Sequence, residues 1–188
     1  MPYAPRPAMK DCKLFFFDSE TGGFDAAVCD MVEVACIVTD PTGRNVLEEY
    51  SAKVFPKKPV DPGAAAVNGY TREKWATEAI ELDAAMIKLL TMGKDAVFCA
   101  HNVPFDWSFF TAAMNQRKQR WNGDYHKIDT VALSVPLLKH GKIPNLKLVT
   151  LTEYFGIDHE AHRAMGDARA CQQVYVKLMD IYDRAFAV

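Results

Sequence analysis

The sequence lacks the features of membrane-spanning and disulfide-stapled proteins. No apolar run approaches the ~20 residues that a transmembrane helix needs, and no long apolar segment follows the N-terminus. We therefore expect neither a signal peptide nor a membrane partner. The five cysteines are odd in number and no pair has C-x-x-C spacing, which disfavours a disulfide framework and a zinc knuckle. Free thiols are typical of a reducing compartment, so we expect a cytoplasmic (intracellular) location.

A strong charge of one sign is also missing. The chain carries 22 Lys and Arg residues against 24 Asp and Glu residues, a net charge of -2. This balance does not predict a polyanionic partner, but a local basic patch can hold phosphate even on a slightly acidic protein. The apolar fraction of 49% and the charged fraction of 24% are ordinary for a globular domain and disfavour disorder.

The length of 188 residues predicts one domain. Residues 1–11 are polar and rich in proline, and we expect a loose N-terminal arm there, followed by a single domain over residues 12–188. Three apolar segments joined by short connections predict an antiparallel meander. These segments cover residues 14–20, 31–39 and 46–54.

The rest of the chain alternates between helical and strand patterns. Residues 56–69 are rich in proline and glycine and predict a loop. Helical spacing of apolar residues covers 78–92, 106–120, about 129–138, 148–155 and 164–185, and short strands are predicted over 97–100 and 125–128. The pattern predicts an α/β domain with a mixed five-stranded sheet flanked by helices.

Two carboxylates stand where an apolar strand ends. Asp18 and Glu20 are separated by one residue, so both side chains point to the same face of the strand. The strand before them is nearly all apolar and is expected to be central. Two acids side by side at its end repel each other, which is costly unless a cation lies between them. The alternative is an exposed strand end with two solvated acids.

Two more segments place acids near the starts of predicted helices. Asp106 follows the short strand 97–100, and its alternative role is a helix N-cap. Asp167 lies in the first turns of the last helix, and His162 precedes that helix. The alternatives are an acid that favours the helix dipole and a surface histidine.

The three segments together are more informative than any one of them. They supply four carboxylates and one histidine, with no cysteine nearby. Hard oxygen ligands in this number favour two Mg²⁺ or Mn²⁺ ions over zinc. Two such ions are the usual machinery for phosphodiester hydrolysis.

These segments resemble the motifs of the DEDDh exonucleases, within the DnaQ-like 3'-5' exonuclease superfamily that includes proofreading epsilon subunits and ribonuclease T. The motifs are Phe17-Asp18-Ser19-Glu20-Thr21-Gly22-Gly23, His101-Asn102-Val103-Pro104-Phe105-Asp106 and His162-x-Ala164-x-x-Asp167. The resemblance implies a ribonuclease H-like fold. It also implies that Asp18, Glu20, Asp106 and Asp167 bind two metal ions and that His162 is the general base for the attacking water.

Weaker similarities extend over most of the chain. Residues 65–71 are similar to the family segment that runs along the terminal nucleotide, although Asn68 stands where a histidine is frequent in the proofreading branch. Asp129 is similar to a family acid before a helix, and we expect it to orient the site rather than bind metal. The candidate substrate-binding residues are Thr21, Phe24, Val67, Asn68, Phe105 and Arg163.

The preferred interpretation is a metal-dependent 3'-5' exonuclease that releases nucleoside 5'-monophosphates, acting on single-stranded DNA in proofreading or end trimming. The alternative substrate is RNA, as in exoribonucleases of the ribonuclease T or oligoribonuclease type. A scaffold module with a decayed site is disfavoured, because the set of four acids and one histidine is intact. A homodimer and an association with a polymerase both stay open.

Overall fold

A mixed sheet of five strands forms the centre of the computed structural model, which describes residues 7–187. The strands lie in the order β3-β2-β1-β4-β5. They are β1 (Lys13–Thr21), β2 (Met31–Thr39), β3 (Val46–Lys53), β4 (Ala96–Ala100) and β5 (Lys127–Asp129). The first three strands pair as an antiparallel meander, and β4 and β5 run parallel to β1. The predicted mixed five-stranded sheet is therefore confirmed.

Seven helices connect and cover the strands over residues 7–187. They are α1 (Pro62–Asn68), α2 (Arg72–Glu78), α3 (Leu82–Met92), α4 (Val103–Gln116), α5 (Thr130–Lys139), α6 (Leu148–Phe155) and α7 (Ala164–Phe186). None of these helices combines the length and the apolar character that a bilayer crossing demands. Within the predicted N-terminal arm, Met9–Asp11 form a short 3₁₀ helix, and residues 1–6 lie outside the described part of the chain.

Each face of the sheet carries its own core, because side chains along β1 alternate between the faces. Phe15 and Phe17 point toward α3 and α4 and pack against the apolar faces of those helices. Leu14 and Phe16 point the other way, toward α7. A smaller cluster joins α6 to α7 through residues that include Leu151 and Leu178. The long helix α7 therefore anchors one whole side of the domain.

The segment predicted as a loop contains a helix. Asp61 caps α1 by accepting hydrogen bonds from the backbone N–H groups of Gly63 and Ala64, and Gly69 ends the helix in the left-handed conformation. A helix of seven residues with Pro62 in its first turn has too little apolar periodicity to be detected in the sequence. The next helix, α2, was also not predicted, and it is held by Trp75, whose indole N–H donates to the Val32 carbonyl at 2.6 Å.

Smaller differences concern the ends of elements. α4 begins at Val103, three residues before the predicted start at Asp106, because Pro104 suits the first turn of a helix. α3 begins at Leu82 rather than residue 78, after a cap at Glu81. The last strand, β5, covers Lys127–Asp129 rather than 125–128, and it pairs with Phe98 to Ala100 of β4.

A cluster of aromatic rings fills the core between the sheet and α4. Phe110 lies at its centre and contacts Phe17, Phe98 and Trp107 at centroid distances of 5.1, 5.4 and 5.9 Å. Its side chain is fully buried. Edge-to-face ring pairs contribute roughly 0.5–1.5 kcal/mol beyond the burial of their area. The cluster holds α4, which carries Asp106, against the end of the sheet.

We expect Phe110→Ala to lower the free energy of unfolding by about 3–5 kcal/mol, because it removes a fully buried ring and leaves a cavity. Urea unfolding followed by circular dichroism would measure this loss. The matched control is Phe186→Ala, since Phe186 is 78% exposed and its removal should change stability by less than about 0.5 kcal/mol. Equal losses in the two variants would contradict the packing described above.

Candidate functional site

The end of β1 divides its polar side chains between the two faces of the sheet. Asp18 and Glu20 continue the row of Leu14 and Phe16 and point toward α7, as their spacing predicts. Ser19, between them, points toward α4. Because β1 is the central strand and its neighbour β4 runs parallel to it, this end of β1 meets the start of the helix that follows β4.

Asp106 reaches the site from that helix. It lies in the first turn of α4 and is 3% exposed, so it is not the N-cap, which is Asn102. Its Oδ1 accepts hydrogen bonds from the backbone N–H of Ser19 at 3.0 Å and from the Ser19 hydroxyl at 2.8 Å. Two donors on one oxygen fix the rotamer of the carboxylate. Among residues 7–187, Oδ2 of Asp106 accepts no hydrogen bond, so it is available to a ligand.

Asp167 reaches the site from the first turn of α7. Its Oδ2 accepts a hydrogen bond from the backbone N–H of His162 at 2.9 Å, and its Oδ1 lies 2.6 Å from Nε2 of His159. The backbone of His162 has a φ of 63°, in the left-handed region that costs a non-glycine residue roughly 1–3 kcal/mol. The hydrogen bond to Asp167 holds His162 in this conformation, and the residue is exposed.

The acids converge closely enough to share a cation. One carboxylate oxygen each of Asp18, Glu20 and Asp167 lies within 4.8 Å of the other two. Asp106 is not part of that tight group, but it is near enough for its charge to raise the pKa of Asp18. Oxygen ligands without sulfur or imidazole are those that Mg²⁺ and Mn²⁺ prefer. The donor set therefore fits the divalent cations that the sequence predicts.

Burial and mutual repulsion change the acidity of these groups. Burial, followed by repulsion from Asp106, Asp167 and Glu20, holds the pKa of Asp18 well above its usual range. Burial and repulsion from Asp167 raise the pKa of Glu20 to about 7. Burial also raises the pKa of Asp106 to about 7, although the hydrogen bonds from Ser19 oppose this change. Without a cation the site therefore resists full ionisation.

Asp129 organises the site through the backbone. It caps α5 by accepting from the N–H of Val131 at 2.9 Å, and it accepts from the N–H groups of Asn102 and Val103 at 3.1 Å each. These contacts tie the end of β5 to the start of α4. Asp129 therefore orients the helix that carries Asp106, and it does not belong to the group of acids whose oxygens lie close enough to share a cation.

Two of the proposed substrate contacts are exposed apolar side chains. Phe24 is 94% exposed in the turn after β1, and Val67 is 55% exposed on α1. Buried polar contacts hold the segments that carry them. Asn68 is 4% exposed and donates from Nδ2 to the Thr21 carbonyl at 3.0 Å, while the Thr21 hydroxyl donates to the Gly23 carbonyl at 2.6 Å. Thr21 and Asn68 thus shape this surface and do not protrude from it.

The other two proposed contacts have partners within the domain. Phe105 is partly buried and its ring packs 5.2 Å from that of Phe109, so part of it belongs to the core. Arg163 lies 3.4 Å from Oε1 of Glu33 on β2. Glu33 and Arg163 line an open polar groove of about 690 Å³ between α7 and the ends of β2 and β3, and Phe105 does not line it. Arg163 is therefore held next to the acids by an ion pair.

Three residues of this site were not identified from the sequence. Ser19 lies between the two acids of the first motif, where the sequence indicates no role for it, and the structure makes it the donor to Asp106. Glu33 is a buried acid in the otherwise apolar strand Met31–Thr39, and that contrast was a detectable signal. His159 has no such signal, because its distance from Asp167 in the sequence does not reveal that the following loop turns back onto α7.

Known proteins are similar to this chain in sequence. The exonuclease family model (RNase_T) matches residues 15–175. DNA polymerase III PolC-type of Thermotoga maritima is 25% identical over 91% of the chain, but the match spans only 12% of that polymerase. DNA polymerase III subunit epsilon of Treponema pallidum is 26% identical over 87% of the chain and 74% of its own length. Ribonuclease T of Baumannia cicadellinicola is 28% identical over 89% of the chain and 83% of its own length.

The fold is also found among solved structures. E. coli ExoI in a complex with single-stranded DNA superposes with a TM-score of 0.81 and 22% identity. The match covers 94% of this chain and 42% of ExoI. The shared fold therefore accounts for less than half of ExoI. The expected ribonuclease H-like architecture is thereby confirmed.

The acidity of the site predicts how stability depends on pH. Because folding raises the pKa values of Glu20 and Asp106 to about 7, the folded state binds more protons than the unfolded state between about pH 4.5 and 7. At low pH the protonation of these two acids adds to the free energy of unfolding. This contribution is lost as the pH rises through 7. We therefore expect the metal-free protein, in EDTA, to have a lower Tm at pH 8 than at pH 5.5.

Glu20→Gln should flatten this pH dependence and raise the Tm at pH 8, by roughly 2–4 °C for each kcal/mol of repulsion that it relieves. The control is Glu153→Gln, which changes an exposed acid away from the site. Thermal unfolding followed by circular dichroism measures both. A wild-type Tm that rises from pH 5.5 to 8, or equal shifts in the two variants, would disprove the proposed electrostatics.

Proposed function

The chain belongs to the exonuclease family, and on that basis we propose that it is a metal-dependent 3'-5' exonuclease of the DEDDh type. It hydrolyses phosphodiester bonds at the 3' end of single-stranded nucleic acid, with DNA as the preferred polymer, and releases nucleoside 5'-monophosphates. The single observation that carries the proposal is the convergence of Asp18, Glu20 and Asp167 within 4.8 Å at the end of the central strand.

Two divalent cations, Mg²⁺ or Mn²⁺, would be held by these three acids together with Asp106. Bound there, they would supply the positive charge that makes water nucleophilic and stabilises the leaving oxygen of a phosphodiester. The burial and repulsion that raise the pKa values of Asp18, Glu20 and Asp106 support this assignment, because a cation among the acids would neutralise the negative charge that these effects disfavour. Ser19 keeps Oδ1 of Asp106 in place and leaves Oδ2 free for a ligand.

His162 is the proposed general base. Its side chain is exposed, and its backbone N–H donates to Asp167 at 2.9 Å, which places the residue at the edge of the acids. A histidine accepts protons near neutral pH without a large change in its environment, which suits it to take a proton from the attacking water.

The terminal nucleotide would bind between the turn after β1 and α1. Exposed apolar groups on such surfaces stack with bases of any sequence, as an exonuclease requires. Phe24 and Val67 offer these groups, and the hydrogen bond from Asn68 to the Thr21 carbonyl keeps the two segments together. Phe105 would contribute the edge of its ring at the side of α4, and Arg163 would contact a phosphate next to the scissile bond.

The preference for DNA is supported by relatives that are named as DNA polymerase III PolC-type and subunit epsilon. RNA is the second candidate polymer, because another relative is named Ribonuclease T and is 28% identical over 83% of its length. No side chain identified in the site is assigned to a 2'-hydroxyl. Association with a polymerase and formation of a homodimer stay predictions, as does the division into a loose arm and a single domain.

Single-stranded DNA and RNA of matched sequence distinguish the two polymers. With Mg²⁺, we expect mononucleotides to be released from the 3' end of DNA. RNA should be degraded more slowly than DNA or not at all. No product should form in EDTA, and circular single strands should stay intact. A higher rate on RNA would make the chain an RNA-trimming enzyme, and full activity in EDTA would disprove the metal-dependent mechanism.

His162→Ala tests the general base. Because the four acids stay in place, we expect Mn²⁺ affinity close to that of the wild type and a single-turnover rate lower by roughly 10²–10⁴-fold. Asp106→Ala is the contrasting variant, since it removes a carboxylate and should weaken Mn²⁺ binding as well as the rate. Wild-type turnover in His162→Ala near neutral pH would show that another group takes the proton.

A further inference from the structure

We propose that His159 is a positioning residue, which holds the carboxylate of Asp167 in the orientation that binds a divalent cation. The inference rests on the proposed function, because it concerns one of the acids assigned to the cations. Its basis is separate, however. It lies in the contacts that His159 makes on both sides of its ring and in the way the loop that carries it is packed.

Both ring nitrogens of His159 are engaged. Nε2 lies 2.6 Å from Oδ1 of Asp167, and Nδ1 lies 3.3 Å from the hydroxyl oxygen of Thr152 on α6. An ionised carboxylate only accepts hydrogen bonds, so Nε2–H is the donor to Asp167. The imidazole thus links α6 to the first turn of α7 across the site.

The environment of this link is closed to solvent. The side chain of His159 is 5% exposed and that of Asp167 is 14% exposed. Thr152 is 1% exposed, and its hydroxyl also lies 2.9 Å from the Val149 carbonyl within α6. A buried ring with partners at both nitrogens cannot rotate without losing one of them. His159 therefore has one orientation, and so does the carboxylate to which it is bonded.

The loop that carries His159 is packed directly against α7. A Cβ atom placed on Gly166 would lie 2.3 Å from the carbonyl oxygen of Glu160, so only glycine permits this approach. The close packing places His159 next to Oδ1 of Asp167 and the backbone N–H of His162 next to Oδ2. Each carboxylate oxygen receives one hydrogen bond and keeps a further lone pair for a cation.

This arrangement assigns His159 a task that His162 does not perform. The exposed imidazole of His162 makes no hydrogen bond among residues 7–187, whereas that of His159 is committed to Asp167. Hydrogen-bond partners of metal ligands fix the direction of the ligand lone pairs, and their loss typically weakens metal affinity or activity by 10–100-fold. We assign this contribution to His159.

The test is a Mn²⁺ titration of the full chain by isothermal calorimetry, with single-turnover rates measured on a single-stranded DNA oligonucleotide. His159→Ala should weaken Mn²⁺ binding by roughly 10–100-fold, and most of the lost rate should return at saturating Mn²⁺. His159→Gln offers an amide N–H in place of Nε2–H and should retain affinity within several-fold of the wild type. The control is His140→Ala, which makes the same change at an exposed position after α5.

The outcomes separate this inference from the proposed function. Unchanged Mn²⁺ affinity in folded His159→Ala, or a Gln variant as weak as the Ala variant, overturns the role of His159 and leaves the metal site standing. No Mn²⁺ binding by the wild type overturns the metal site and His159 with it. If His159→Ala does not fold, Thr152→Val removes the contact to Nδ1, together with the hydroxyl contact to the Val149 carbonyl, at nearly constant volume and leaves His159 in place. In that variant we expect a several-fold loss of affinity, and unchanged affinity would overturn the inference.

Discussion

Repulsion between the carboxylates of Asp18, Glu20, Asp106 and Asp167 is the constraint on which the rest of this structure depends. Like charges at such short range destabilise a folded chain unless protons or cations neutralise them. The high pKa values of Glu20 and Asp106 show that the fold does not relieve the repulsion by moving the acids apart. Instead, contacts distributed over the domain hold them together. The site is thus ready for a cation before one binds.

Three kinds of contact oppose the repulsion. The aromatic cluster around Phe110 packs α4 against the sheet and so fixes the position of Asp106 relative to the end of β1. The carboxylate of Asp129 ties the start of the same helix to β5. On the other face, α7 packs along β1 and brings Asp167 to the acids, and the loop before it is held by the ion pair of Arg163 with Glu33. No single contact suffices, because the first two hold Asp106 and the third holds Asp167.

The sequence alone predicted those parts of the fold that depend on regular spacing. The period of two along β1 placed Asp18 and Glu20 on one face. The apolar strand Met31–Thr39 and the apolar face of α7 were also predicted. Short helices held by caps, such as α1 after Asp61, were not predicted, because seven residues carry too little apolar periodicity. His159 was not predicted as a site residue for another reason. Its role follows from the close approach of a loop to Gly166, a tertiary contact that no local pattern encodes.

The alternation of side chains along β1 also bears on how this chain can change in length. If one residue were deleted just before Asp18, the two acids would exchange faces with Ser19. The carboxylates would then point into the aromatic core, and Asp106 would lose both of its donors. The hairpin after Thr39 lies at the opposite end of the sheet. A change of length in that hairpin leaves the acids in register, whereas a change of length within β1 just before them moves both acids to the other face.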